Sequence, residues 1–313
     1  MFTQFFILFG AMFIGFLARK IGLLDDRALA GFSKFTVYVG FPMVLVHNIG
    51  GIALTNDVLR SFFLMMFLSV LVLMLTMLVS FLIYKFRKLT QGEKNVLEFG
   101  AFLGNSGFIG IPMSIAFFGE QGLFFMVAAN VVTGFAIWTY GVHLMHRGTH
   151  SKITLKVVLK TITKCLLNPN IVATVLGLLI SLLHITLPAP VSGLLITVGN
   201  TAMPMSMIFL GASLAAEKIS GLFVNKLVIE SAVVRLFLSP VITLAAVYFL
   251  PIAPMMKIIL LFIMILPIGA ALPMIVKELG GNEKFTAKNV LLSTLLSILT
   301  MPLWMIVIEK LFQ

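Results

Sequence analysis

Gly104-Asn105-Ser106-Gly107-Phe108-Ile109-Gly110-Ile111-Pro112 stands in the middle of an apolar run, with three glycines, an Asn, a Ser and a proline in nine residues. Proline lacks a backbone donor and its ring crowds the preceding turn, while each glycine costs a helix about 1 kcal/mol. The stretch therefore predicts a helix that unwinds and restarts, not one that merely bends. A second stretch, Leu266-Pro267-Ile268-Gly269-Ala270-Ala271-Leu272-Pro273, puts two prolines and a glycine in another such run. Backbone freed in this way inside an apolar layer must be satisfied by protein or by a wet cavity.

The setting of the two stretches is lipid. Of 313 residues, 60% are apolar and 11% are charged, and the mean hydropathy is +1.13. A water-soluble domain carries about 25% charged residues. Ten apolar runs are read at 2–19, 31–51, 59–84, 95–118, 122–146, 168–187, 190–215, 226–250, 256–278 and 287–309. Runs of about 20 residues span a hydrocarbon core of about 30 Å, so an all-α integral membrane protein of ten transmembrane helices is expected. The two glycine- and proline-rich stretches then break the fourth and ninth spans.

Charge placement gives an orientation. The net charge is +11, but the basic residues lie between the apolar runs, so the partner implied is the bilayer and not nucleic acid. Eighteen of the 22 basic residues fall at the odd-numbered connections, against Arg60, Lys257 and Lys310 at the even side and the ends. By the positive-inside rule both termini are expected on the extracytoplasmic face of a bacterial-type inner membrane. Arg19 and Lys20 follow the first run instead of preceding it, which speaks against a cleaved signal. Lys152, Lys156, Lys160 and Lys164 recur every four residues, as a basic stripe on lipid headgroups or as a solvated linker. The single Cys165 is read as a small apolar filler.

The prolines also reveal a repeat. Pro42 and Pro204 are 162 residues apart, Pro112 and Pro273 are 161 apart, and each of the four is followed by Met. Gly15-Phe16-Leu17 and Gly177-Leu178-Leu179 are again offset by 162. One offset thus relates spans one, two and four to spans six, seven and nine. Five spans per repeat put the second half in the membrane upside down. The expected division is residues 1–147, a cytoplasmic connector at 148–167, and 168–313.

Unwound stretches at corresponding places in inverted halves mark a transporter's site. After each break a half-helix is expected to begin, near Met113 and near Met274, with its N-terminus aimed at the membrane centre. A helix N-terminus carries roughly half a positive charge and unpaired N–H groups, which suit an anion. The candidate substrate-binding residues are accordingly Asn105, Ser106, Gly107, Gly110, Pro112 and Met113 from the first break, and Pro267, Gly269, Pro273 and Met274 from the second.

At Asn105 through Pro112, with Gly119 beyond them and the proline pair of the ninth span, the sequence resembles the auxin efflux carrier family. Its bacterial members look like permeases for malate, malonate and related carboxylates. The resemblance covers the ten-span layout and implies a scaffold from spans one, two, six and seven, and a moving transport domain from spans three to five and eight to ten. It further implies crossing broken helices, a carboxylate bound at the crossing by the Asn that corresponds to Asn105, elevator-type alternating access, and a homodimer through the scaffold. An acidic residue that plant members carry in the third span has no counterpart, since residues 61–84 contain no Asp or Glu.

Other polar residues keep two roles open. Arg235 lies inside the eighth span and either faces the substrate or makes an ion pair or carbonyl contact that pins the helices. Asn130 either lines the cavity or joins helices. Glu98 and Glu230 are candidates for ion coupling, with an interfacial partnership between Glu98 and Lys94 as the alternative for the first. Ser293, Thr294, Ser297 and Thr300 form a small polar stripe suited to close packing. The five histidines, including His47, His143, His146, His150 and His184, have no metal-ligand spacing, and no cofactor or metal is expected. No His-Glu-x-x-His, Gly-x-Ser-x-Gly or phosphate loop is present, so an enzyme is not expected. The expected function is secondary transport of a small mono- or dicarboxylate, malate-, malonate- or auxin-like. The nearest alternative is a sodium-coupled symporter of the bile-acid type. A channel or membrane sensor has no need of two matched breaks.

Overall fold

The computed structural model describes residues 2–148, 163, 166–216 and 222–312. Lys152, Lys156, Lys160, Lys164, His150, Cys165 and Lys218 lie outside them, so the lysine stripe and the cysteine have no structural account here. Among the described residues the protein is helical, and no strand forms beyond one isolated antiparallel bridge.

In chain order the helices are α1 (Phe2–Lys20), α2 (Asp26–Gly50), α3 (Asn56–Lys85), α4 (Gln91–Phe102), α5 (106–118), α6 (120–146), α7 (Pro169–Leu182), α8 (Ala189–Gly199), α9 (Ala202–Ala216), α10 (Lys226–Tyr248), α11 (Pro254–Ile265), α12 (Leu272–Glu278) and α13 (Glu283–Phe312). Helices α5 and α6 form one run broken only at Gly119, whose φ of 61° and ψ of −153° belong to neither helix. Among the described residues, seven stretches are long and apolar enough to cross a membrane, and Pro169–Leu182 and Pro254–Ile265 are shorter apolar helices.

Local chemistry sets several of these ends. Thr90 and Glu93 make a capping box ahead of α4, each side chain accepting from the other's backbone N–H. Asn168 and Asn225 accept from main-chain N–H groups two residues on and so start α7 and α10. Inside the helices, three prolines share one device. Pro42, Pro112 and Pro240 each follow a wide π turn, at Thr36–Gly40, Ser106–Gly110 and Val234–Leu238. Proline cannot supply the N–H that closes a regular turn, and the wider turn absorbs that loss without ending the helix. At Pro42 and Pro240 the helix thus continues through a π turn.

The chain divides into two compact units. The first is Met1–Leu64, Gly107–Ala128 and Thr163–Lys218. Within it α1 lies against α9 so closely that a Cβ at Gly15 would stand 2.1 Å from the Ile208 carbonyl oxygen, and one at Gly211 would stand 1.7 Å from that of Met12. Helix α2 lies against α7, where a Cβ at Gly177 would meet Ile49 Cβ at 2.9 Å. Small residues let backbones approach, which is the main route to helix association in lipid. Phe41, Leu45, Ile49, Ile111, Leu123 and Ala173 fill the core of this unit.

The second unit is Met65–Ser106, Ala129–Ile162 and Ile219–Gln313. Its core joins Tyr84, Leu97, Ala101 and Val234, with Val228, Ala232 and Leu292 in a second cluster. The Trp304 indole N–H donates to the Leu236 carbonyl at 2.8 Å, fastening α13 to α10. Polarity is inverted relative to a soluble domain. Phe6 is 80% exposed and Leu299 70%, whereas Arg235 and Ser293 are at 0%. Several buried hydroxyls return their protons to carbonyls of the preceding turn, as Ser69 does to Met65 and Thr133 to Ala129, which satisfies those donors within the helix itself.

Candidate functional site

The two breaks meet. In the second unit α4 ends at Phe102 and α11 at Ile265, and the extended residues beyond them pair antiparallel at Gly104 and Ile268. The Asn105 N–H donates to the Pro267 carbonyl at 2.8 Å and the Gly269 N–H to the Leu103 carbonyl at 3.0 Å. The Ile268 N–H donates to Ser293 Oγ at 3.1 Å. Each break therefore satisfies the backbone of the other, and α13 supplies one acceptor more. A Cβ at Gly269 would lie 3.1 Å from Leu103 Cγ, so a larger residue would press on the Leu103 side chain.

Chain beyond the pairing turns sharply. The Ser106 N–H donates to the Gly104 carbonyl at 2.8 Å, and helix resumes at Ser106 through the π turn of Ser106–Gly110. The first half-helix thus starts about two turns earlier than the expected start near Met113, because the wide turn carries Pro112 inside the helix. The second half-helix begins at Leu272, next to the expected position, but has only seven residues.

Asn105 is the last residue before the helix and is 3% exposed. Its Nδ2 is buried and has no hydrogen-bond partner among the described residues. A buried amide donor left unpaired costs about 1–3 kcal/mol. Beside it in the chain, Ser106 Oγ donates to Asn130 Oδ1 at 2.5 Å, so Asn130 is brought to the first break as a helix-to-helix partner. Pro267 and Gly269 contribute backbone groups to the pairing. Met274 is 69% exposed.

Gly107, Gly110, Pro112 and Met113 belong to the first unit. Gly107 has open space where a Cβ would be, and Met113 is 1% exposed. Pro112 and Ile111 line a cavity of ≈ 450 Å³ together with Phe41, Val44, Gly199 and Ala202, whose polar wall is His47, Asn48 and Asn200. Asn48 and Asn200 were not singled out from the sequence, and His47 was named only for lacking metal-ligand spacing. Single polar residues at helix ends give no signal until the helices are placed.

Three charged candidates have partners in the structure. Arg235 is fully buried, and its guanidinium donates to the carbonyls of Leu266 (Nε, 2.8 Å), Ala101 (Nη1, 3.0 Å) and Ile263 (Nη2, 2.7 Å). Three of its five N–H groups are therefore committed to main chain. Of the two roles weighed for it, the carbonyl contact is the one present in the structure. Glu98 makes a two-pronged ion pair with Arg147 (Oε1 to Nη2 2.6 Å, Oε2 to Nη1 3.0 Å), and Arg147 also donates to Asn95 Oδ1 at 3.0 Å. Lys94, the partner expected for Glu98, instead donates to the Lys85 carbonyl at 3.1 Å. Glu230 is ion-paired with Arg87. Glu98 and Glu230, the two candidates for ion coupling, are thus each held by a guanidinium. The remaining histidines sit at helix ends. His47 and His184 line an open pocket with Ser181 and Ser192, and the His143 ring stacks on Tyr140.

Comparison with known proteins bears on the whole chain. A family model described as a membrane transport protein matches residues 1–305. An uncharacterized transporter of Methanocaldococcus jannaschii is 22% identical over 209 residues, which cover 66% of each chain.

Proposed function

This chain belongs to the membrane transport protein family, that of the auxin efflux carriers, and from that premise we propose that it carries a small organic anion across the membrane by elevator-type alternating access. The observation that carries the proposal is the crossing itself: two broken helices paired backbone to backbone, with the unpaired, buried amide of Asn105 at the point where helix resumes. That amide can donate to a carboxylate. Helix α5 starts one residue later, and the N-terminal end of a helix favours negative charge. Helix α12 has only seven residues and adds less.

The inverted repeat is part of this reading. The packing of α1 on α9 and of α2 on α7 would be equivalent contacts in such a pair of halves. Gly40 and Ala202, 162 residues apart like Pro42 and Pro204, face each other so closely that a Cβ at Gly40 would lie 2.9 Å from Ala202 Cβ. Mutual contact between equivalent residues is what a pseudo-twofold axis produces. The proposed scaffold is α1, α2 and α7 to α9, and the moving part contains the paired breaks. The scaffold would also form a homodimer, with both termini extracytoplasmic.

Purified protein should be screened for thermal stabilisation by malonate, malate and monocarboxylates, since a ligand that binds only folded protein raises stability by mass action. Saturable counterflow of the stabilising anion in proteoliposomes would follow. Stabilisation by none of these anions would overturn the substrate class. Sodium-dependent uptake would favour the bile-acid-type alternative.

A further inference from the structure

The second unit holds a cation where an apolar medium should least tolerate one. Arg235 is at 0% exposure, on the π turn Val234–Leu238 of α10. No carboxylate is among its described partners: they are the carbonyls of Ala101, Ile263 and Leu266, with Met264 Sδ at 3.8 Å. The two acidic residues weighed from the sequence are held by Arg147 and Arg87 instead.

Those three carbonyls are the key to its charge. Ala101 is in the last turn of α4, Ile263 is in the last turn of α11, and Leu266 is the residue that caps α11. Each helix has 12 residues. A helix C-terminus carries roughly half a negative charge on its unpaired carbonyls, so two such ends together offset about one guanidinium. The planar fork of arginine can reach carbonyls in different directions at once, which a lysine ammonium on its single stem cannot match.

Gly104 completes the arrangement. A Cβ there would stand 2.2 Å from Arg235 Nη2 and 3.1 Å from the Ile263 carbonyl oxygen. Glycine at 104 is thus what lets the guanidinium lie against the pairing of Gly104 with Ile268.

We infer that Arg235 is a positioning residue that caps both broken helices at once, holding their C-terminal ends in register and cancelling their negative field, so that an anion at the crossing meets Asn105 without repulsion from behind. The second half of this statement rests on the anion reading above. The first half stands without it.

The test uses full-length protein in lipid nanodiscs carrying Arg235→Met, Arg235→Lys or Gly104→Ala, with Arg147→Met as a control that breaks a buried ion pair elsewhere in the same unit. Hydrogen exchange is followed at the amides of Asn105, Ile268 and Gly269, each variant being compared at the same interval below its own melting temperature. Malonate affinity is measured on the same samples. Loss of hydrogen bonds made by a charged group predicts that Arg235→Met speeds exchange at the three amides by about tenfold or more and weakens malonate by a similar factor. Arg235→Lys should recover part of both effects, and Gly104→Ala should speed the same amides by displacing the guanidinium. Arg147→Met should lower the melting temperature and leave the three amides protected.

Wild-type protection in Arg235→Met would overturn the positioning role. Fast exchange with unchanged malonate affinity would keep the cap and overturn the field effect. No malonate binding by the unmutated protein would count against the anion reading alone, because the exchange measurement needs no ligand. If Arg235→Met fails to fold, Arg235→Lys and Gly104→Ala decide the matter at the same amides.

Discussion

Substitution of Asn105 by alanine separates a binding role from a structural one by the sign of its effects. The side chain is 3% exposed and its Nδ2 has no partner among the described residues. The fold without substrate therefore carries the desolvation cost of that donor, about 1–3 kcal/mol for a buried group left unpaired. Removing the amide relieves the cost while giving up some packing, so the melting temperature of Asn105→Ala without ligand should equal or exceed that of the unmutated protein. The main-chain bond from Asn105 N–H to the Pro267 carbonyl, 2.8 Å long, survives the change because alanine keeps its N–H. Affinity should move the other way. A hydrogen bond to a charged acceptor contributes about 1.5–3 kcal/mol, or roughly 10- to 150-fold in Kd.

Differential scanning fluorimetry without ligand, and calorimetric titration with the stabilising carboxylate from the screen, read the two quantities on one preparation. A variant that melts well below the unmutated protein but binds the carboxylate with unchanged affinity would refute the argument. It would mean that the Asn105 side chain serves the unwound backbone, and that the anion is held elsewhere.

Three further outcomes test the scaffold and the supports of the crossing. Gly211→Ala places a methyl 1.7 Å from the Met12 carbonyl oxygen, so α1 and α9 must separate, and a loss of about 2 kcal/mol or more is expected in chemical unfolding, as for overpacked interiors. Glu98→Gln leaves Arg147 without its buried counter-charge and should cost about 3 kcal/mol, with malonate affinity retained if the carboxylate has no part in coupling; lost affinity would restore its candidacy. Ser293→Ala removes the acceptor of the Ile268 N–H, 3.1 Å away, and should destabilise the protein by about 1–2 kcal/mol, with faster exchange at Ile268 as the local signature.

The sequence made the breaks legible because glycine and proline act on the backbone directly, and their effect does not depend on what packs around them. Residues 103–105 and 266–271 are extended or turned where helix would otherwise run, and glycine 104 leaves the space in which the Arg235 guanidinium lies. The start of α5 was misplaced for the same reason in reverse. A proline marks the expected point where helix resumes, but the π turn at Ser106–Gly110 admits Pro112 to the helix interior. Side-chain partnerships were far less legible. Glu98 and Arg147 are 49 residues apart and Arg235 and Ala101 are 134 apart, so only the tertiary fold brings them together, and a nearby lysine looked the better partner for Glu98.

The polar stripe on α13 shows how one face serves several needs. Ser293 and Thr294 are neighbours, and both return their hydroxyl protons to the Val290 carbonyl. Helical geometry turns the second away from the second break, so only Ser293 keeps a lone pair aimed at the Ile268 N–H. Ser297 donates to the Thr294 carbonyl, as a packing stripe requires. Periodicity places all of them on a buried face and assigns them alike to close packing. What distinguishes Ser293 is an orphan donor in the second break, and that orphan exists because helix α11 has ended by Ile265, ahead of Pro267. The functional meaning of this serine therefore follows from a proline in a different span, which is why pattern along one helix cannot supply it and the pairing of the two breaks can.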